Sequence, residues 1–164
     1  MLIRRARTGD VKAIRSLVDT YTTDRRLLSK ATVTLYESVQ EFWVAEDDDG
    51  TVVGCGALHV MWEDLAEIRT VAVHPERRGR RIGHRIVGVL LEQARELGVR
   101  RVFCLTFETR FFGSFGFTEI DGAPVPHAVY EQLLRSYDEG VAEFLDLERV
   151  KPNTLGNKRM LLHL

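Results

Sequence analysis

The chain has 164 residues, of which 45% are hydrophobic and 29% charged, and a formal net charge of −1. That length suits one domain around a single core, and the composition is that of a soluble globular protein rather than a disordered or fibrous one. The near-neutral balance gives no electrostatic footprint for nucleic acid or for an acidic lipid surface, so neither is expected as a partner.

The amino terminus, MLIRRARTGD, places arginines where a signal peptide needs an apolar run. No stretch approaches the roughly 20 apolar residues that span a bilayer, and a cytoplasmic protein is expected. Ile3 to Arg7 reads as a first strand, after which Thr8 is placed to cap a helix. The apolar positions Val11, Ile14, Leu17, Val18 and Tyr21 of that helix follow the 3.6-residue period. A second helix is expected around Leu35, Tyr36 and Val39. Phe42 to Glu46 and Thr51 to His59 read as strands joined by an Asp-Asp-Asp-Gly turn. Glu67 to Val73 is a further strand, stopped by His74-Pro75. The clearest helix runs from Ile82 to Leu97, with Ile86, Val87, Leu90, Leu91, Ala94 and Leu97 on its apolar face and Gly98 ending it. Val102 to Leu105 is a short strand, followed by a helical turn near Thr109 to Phe115 and a strand from Phe117 to Ile120. Val129 to Tyr137 looks helical and Lys158 to Leu164 alternates like a terminal strand; the stretch between them is ambiguous. The alternation of strands and helices gives an α/β chain, a mixed sheet with helices on both faces, as a single domain over 1–164. The two cysteines, Cys55 and Cys104, lie in apolar runs without a CxxC pairing; buried free thiols are expected, and no metal site.

The stretch EIRTVAVHPERRGRRIGH, from Glu67 to His84, carries the chemistry. A strand ends at a proline, a turn rich in arginine and glycine follows, and a long helix opens at once. Unpaired N–H groups and the positive end of the macrodipole make such a helix start a binding site for a pyrophosphate. The GxxxxGK[ST] phosphate loop is absent, and Gly79 and Gly83 do not fit GxGxxG.

Arg78-Gly79-Arg80-Arg81-Ile82-Gly83 resembles the [QR]-x-x-G-x-[GA] loop of the GNAT N-acetyltransferase superfamily. The preceding RTVAVHPERRG is similar to that family's strand against the pantetheine arm, and FETRFFGSFGFTEI to its strand, short helix and Gly-Phe turn. EFWVAE, VVGCGALHV, AEIRTVAVHP and the tail from Tyr137 further resemble the stand-alone, actinobacterial-type amino-acid acetyltransferases that make N-acetylglutamate for arginine synthesis. The resemblance implies the GNAT fold, an α+β arrangement with a mostly antiparallel sheet, and acetyl-CoA as co-substrate. It implies donor-binding roles for Val71, Ala72, Val73, Arg78, Gly79, Arg80, Arg81, Ile82, Gly83, His84 and Phe112. It also implies an amino-acid acceptor, L-glutamate first, gripped by Lys30 and by Asn157, Lys158 and Arg159, and it allows a homodimer. Arg81 stands where the pattern has glycine; the anion contact there is a main-chain N–H, which arginine keeps if φ stays negative.

Acetyl transfer to an amine requires a neutral nitrogen, so the α-ammonium group must lose a proton to a base or to water. Glu67 is the candidate base, four residues ahead of Val71 and roughly 13 Å away on a regular strand. The plain alternative is a strand glutamate paired with Arg69. Phe112 stands where many relatives have the tyrosine that protonates the leaving thiolate; a phenyl ring has no proton to give, so no acid is assigned. Cys55 and His59 lie roughly 13 Å apart on a regular strand, too far for a nucleophile and its base. Two other functions remain in view: acetylation of another small amine or a protein N-terminus, and a non-catalytic acyl-CoA-binding regulatory module.

Overall fold

The computed structural model describes residues 1–22, 30–150 and 156–164. They divide into two compact units, one of residues 1–59 with 68–93 and the other of 60–67 with 94–164.

The first unit holds β1 (Leu2–Arg5), α1 (Val11–Thr22), α2 (Thr32–Glu37), β2 (Phe42–Glu46), most of β3 (Val52–Trp62), the second half of β4 (Leu65–Val73) and most of α3 (Ile82–Glu96). Its strands run in the order β1-β2-β3-β4, with β1–β2 and β2–β3 antiparallel. Two helices cover opposite faces of these strands. The α1 residues Val11, Ile14, Leu17, Val18 and Tyr21 are buried with Phe42, Val44, Cys55, Ala57 and Ala72. Each aliphatic side chain withdrawn in this way stabilises the fold by about 2 kcal/mol. On the other face α3 approaches so closely that only glycine fits beneath it. A Cβ on Gly54 would lie 2.9 Å from Ile86, and one on Gly56 would lie 2.7 Å from Ile86.

The second unit holds β5 (Arg101–Thr106), α4 (Thr109–Gly113), β6 (Thr118–Glu119), α5 (His127–Leu133), α6 (Glu139–Phe144) and β7 (Lys158–His163), together with the start of β4. Its order is β4-β5-β7-β6. The β4–β5 ladder is parallel, from Leu65↔Arg101 to Glu67↔Phe103, while β5–β7 and β6–β7 are antiparallel. The core here is Leu65, Phe103, Leu133, Val141, Phe144, Leu145 and Leu161, with the Phe103 and Phe144 rings edge to face at 5.1 Å.

Several boundaries differ from the sequence reading. Thr8 does not cap α1: Thr8–Asp10 form a 3-10 turn in which the Asp10 carboxylate accepts the Arg7 N–H at 2.7 Å. Arg4 holds that carboxylate in turn, at 2.8 and 3.0 Å, so the acid and not the threonine sets the helix start. Val39 belongs to a 3-10 turn after α2, and Tyr36 is exposed. Leu97 lies past the end of α3 at Glu96 and is 55% exposed, and Gly98, at φ +84, turns the chain just after it. Tyr137 is fully exposed beyond α5, and β6 keeps only two residues. Within the ambiguous stretch, Glu139–Phe144 form α6, capped by the Asp138 side chain on Val141 N–H at 2.9 Å, and Glu148–Val150 form a 3-10 turn.

Candidate functional site

The first group of site residues lies at the end of β4 and in the turn after it. His74 N–H donates to Val53 C=O at 2.8 Å. By the two-residue alternation of a strand, Val73 and Val71 therefore turn their main-chain groups to the edge away from β3. Ala72 does not share that edge. Its side chain is in the core with α1, and its carbonyl lies on the side of Gly54, which leaves its main chain to β3. Thr70 has φ +57 in mid-strand, a conformation that β-branched residues rarely adopt. Its carbonyl accepts the Cys55 thiol at 3.5 Å. The kink replaces the regular strand that the 13 Å estimate from Glu67 to Val71 assumed.

The turn begins with a 3-10 segment, Pro75–Arg77, in which Glu76 N–H reaches His74 Nδ1 at 3.3 Å. Gly79 has φ +82 and Arg81 φ +58, with Arg80 between them at negative φ. The negative φ expected for Arg81 is thus corrected: it holds the left-handed conformation for which the family pattern keeps glycine. Alternating hands of this kind make successive N–H groups converge, which forms an anion cradle. The arginines divide in their partners. Arg77 pairs with Asp47 at 3.1 Å, and Arg78 donates to the Tyr21 hydroxyl at 3.1 Å with its guanidinium 5.4 Å from that ring. Arg80, Arg81 and Arg85 are exposed at the opening of α3. Ile82 is buried against Gly54, so it can offer a ligand only its main chain. Gly83 and His84 are partly buried on the first turn.

In the second unit Glu67 is 3% exposed. It pairs in register with Phe103, and burial, with a further push from the Glu67 charge, raises the neighbouring Cys104 thiol well above its ordinary pKa. Burial likewise pushes the Cys55 thiol up to about 12, so neither sulfur is a thiolate near neutral pH. His59 is bound to the Glu41 carboxylate at 2.7 Å, which leaves no Cys55–His59 couple. Phe112 is buried in an aromatic cluster, 5.0 Å from Phe111 and 5.3 Å from Phe117.

The expected acceptor residues differ in what they leave available. Lys30 is partly buried and its carbonyl accepts from Arg15; residues 23–29, just before it, lie outside the described residues. Lys158 is exposed at the start of β7. Arg159 departs most from expectation. Its guanidinium donates to the carbonyls of Glu143 at 2.7 Å, Gly122 at 2.8 Å and Phe144, and it lies 5.1 Å from the Phe103 ring. The fork ties off the end of α6 instead of facing outward. Its Nε–H and the Asn157 Oδ1 are buried without a hydrogen-bond partner among the described residues.

The sequence reading missed Tyr21 as anything more than core, and Thr70 altogether. A tyrosine on a buried helix face carries a hydroxyl that needs a partner, which was a usable signal. Nothing local marks Thr70.

Known proteins share this architecture. The model of the acetyltransferase (GNAT) family matches residues 11–117. An amino-acid acetyltransferase of Mycobacterium tuberculosis is 64% identical over 163 residues, covering 98% of this chain and 93% of that protein. A Mycobacterium tuberculosis crystal structure in complex with CoA, also 64% identical, superposes with a TM-score of 0.97 over 100% of this chain and 99% of the other. The N-acetylglutamate synthase of Neisseria gonorrhoeae, complexed with CoA and N-acetyl-glutamate, shares the fold at a TM-score of 0.78 and 24% identity, over 99% of this chain and 35% of its own. On the family match and the extent of this identity, the chain belongs to the acetyltransferase (GNAT) family.

Proposed function

We propose that the chain transfers the acetyl group of acetyl-CoA to the α-amino nitrogen of an amino acid, L-glutamate before others, the first step of arginine biosynthesis. The observation that carries the donor half is the left-handed pair Gly79 and Arg81 at the mouth of α3. The turn supplies converging main-chain donors and exposed cations to a pyrophosphate. The outward edge of Val71 and Val73 supplies peptide groups to the amides of the pantetheine arm, as an added strand would. Acetyl-CoA brings an activated thioester; the protein's part is to hold it and to manage the proton of the amine. Glu67, a buried carboxylate, takes that proton directly or through a water.

The same reading gives the acceptor's carboxylates to Lys30 and to the start of β7. What β7 has left for them is the Lys158 ammonium, the Asn157 side chain and the Arg159 Nε–H, a smaller set than the fork of Arg159 had promised. A reducing cytoplasm, in which Cys55 and Cys104 stay thiols, and a homodimer belong to this reading as well. Calorimetry with CoA tests the donor half: the protein binds it, and Gly83→Val weakens binding at least tenfold by crowding the anion at the first turn of α3. Equal affinity for both proteins would move the donor elsewhere.

A further inference from the structure

Tyr21 joins the two parts of the donor site. It closes the buried face of α1 at 9% exposure, where phenylalanine or leucine would satisfy the packing as well. Its hydroxyl makes two bonds that packing does not need. It donates to the carbonyl of Val73 and accepts from Arg78 Nη2 at 3.1 Å, under the guanidinium stacked on its ring. Val73 is the last residue of β4, on the edge assigned to the pantetheine arm, and Arg78 is the first residue of the phosphate turn. One hydroxyl therefore grips both ends of the connection between them. The intervening residues are held by short-range bonds, Arg77 N–H to His74 C=O at 2.9 Å and Arg78 N–H to Pro75 C=O at 3.3 Å, and by two longer-range ones, His74 N–H to Val53 C=O at 2.8 Å and Arg77 to Asp47 at 3.1 Å. Those bonds anchor the middle of the connection, and the Tyr21 hydroxyl joins the strand end directly to Arg78, where the phosphate turn opens.

We infer that Tyr21 is a positioning residue for the acetyl donor, setting the phosphate turn at the distance from the Val73 edge that one CoA molecule must bridge. The carbonyl of Val73 has two lone pairs, so the tyrosine orients it without consuming it. The inference rests on the acetyl-CoA reading above. Its signature is a loss of chelation. A ligand that uses strand and turn together gains from their fixed spacing, whereas a fragment that touches one of them does not.

The test compares wild type with Tyr21→Phe, which keeps the ring and the stack, by calorimetry with CoA, with pantetheine and with adenosine 3′,5′-bisphosphate extended to the 5′-diphosphate. Tyr21→Phe should bind CoA about fivefold to tenfold more weakly, the range of one lost hydrogen bond of ordinary strength. Both fragments should bind within twofold of wild type. In turnover the KM for acetyl-CoA should rise with kcat at saturation little changed, and Tyr21→Trp should not restore it. Unchanged CoA affinity, or an equal loss for CoA and the nucleotide fragment, would overturn the inference. Failure of the wild type itself to bind CoA would instead remove the donor reading on which it rests.

Discussion

Arg81 and Arg159 carry the same side chain, and residue type alone offers both as ligands for an anion. Arg81 is exposed, with its backbone bent to φ +58 at the start of α3. Arg159 spends its fork on the carbonyls of Gly122, Glu143 and Phe144, and burial lowers its pKa from the ordinary arginine value despite nearby Asp146, Asp121 and Glu143. On the acetyl-CoA reading, the turn would bind through main-chain N–H donors, with the side chains adding charge around them. At β7 the side chain is the donor and the protein's own carbonyls are its ligands. A local motif can specify the first arrangement. The second depends on where a helix sixteen residues earlier happens to end.

The largest effect expected from this contrast is on stability. Arg159→Met leaves the last carbonyls of α6 without their charged donor and should cost at least about 3 kcal/mol, read as a drop in the urea midpoint. A variant as stable as wild type but with a glutamate KM raised tenfold would break the contrast and return Arg159 to the acceptor. Next, Glu67→Gln should lower kcat about a hundredfold, near 2.7 kcal/mol, with CoA affinity nearly intact. An unchanged kcat across the pH range removes Glu67 from the chemistry. Lys30→Ala should raise the KM for glutamate about tenfold and leave that for acetyl-CoA alone; equal effects on both would make it a structural lysine. The smallest change is Arg81→Gly. Relief of the left-handed arginine, offset by the freedom glycine adds to the unfolded chain, should stabilise by up to about 1 kcal/mol. CoA affinity should fall no more than about threefold, because the contact there is a main-chain N–H. A tenfold loss would show that the guanidinium itself is a ligand.

Periodic patterns carried most of the fold. The α1 face from Val11 to Tyr21 and the α3 face from Ile86 to Ala94 are buried as their spacing indicates, because a 3.6-residue stripe has one way to leave water. Errors came where a short-range rule met a longer-range partner. Thr8 is a good cap in isolation, but Asp10, held by Arg4, accepts the Arg7 N–H and folds Thr8–Asp10 into a 3-10 turn. Leu97 fits the α3 stripe, yet it lies past the helix end and is exposed. In the candidate site, the tight turn from β4 into α3 was legible because proline, glycine and helix-start signals are local, although the left-handed Arg81 was not. The tether from Tyr21 and the clamp of Arg159 were not, since each is made with residues 15 or more positions away, and nothing local marks the left-handed Thr70.

Thiol release from acetyl-CoA, measured against each of the twenty amino acids, decides whether the chain acetylates an amino acid. Release is expected with L-glutamate at the highest kcat/KM, matched mole for mole by N-acetylglutamate in the mass spectrum. Background release with all twenty, from a protein that binds CoA by calorimetry, would contradict this expectation.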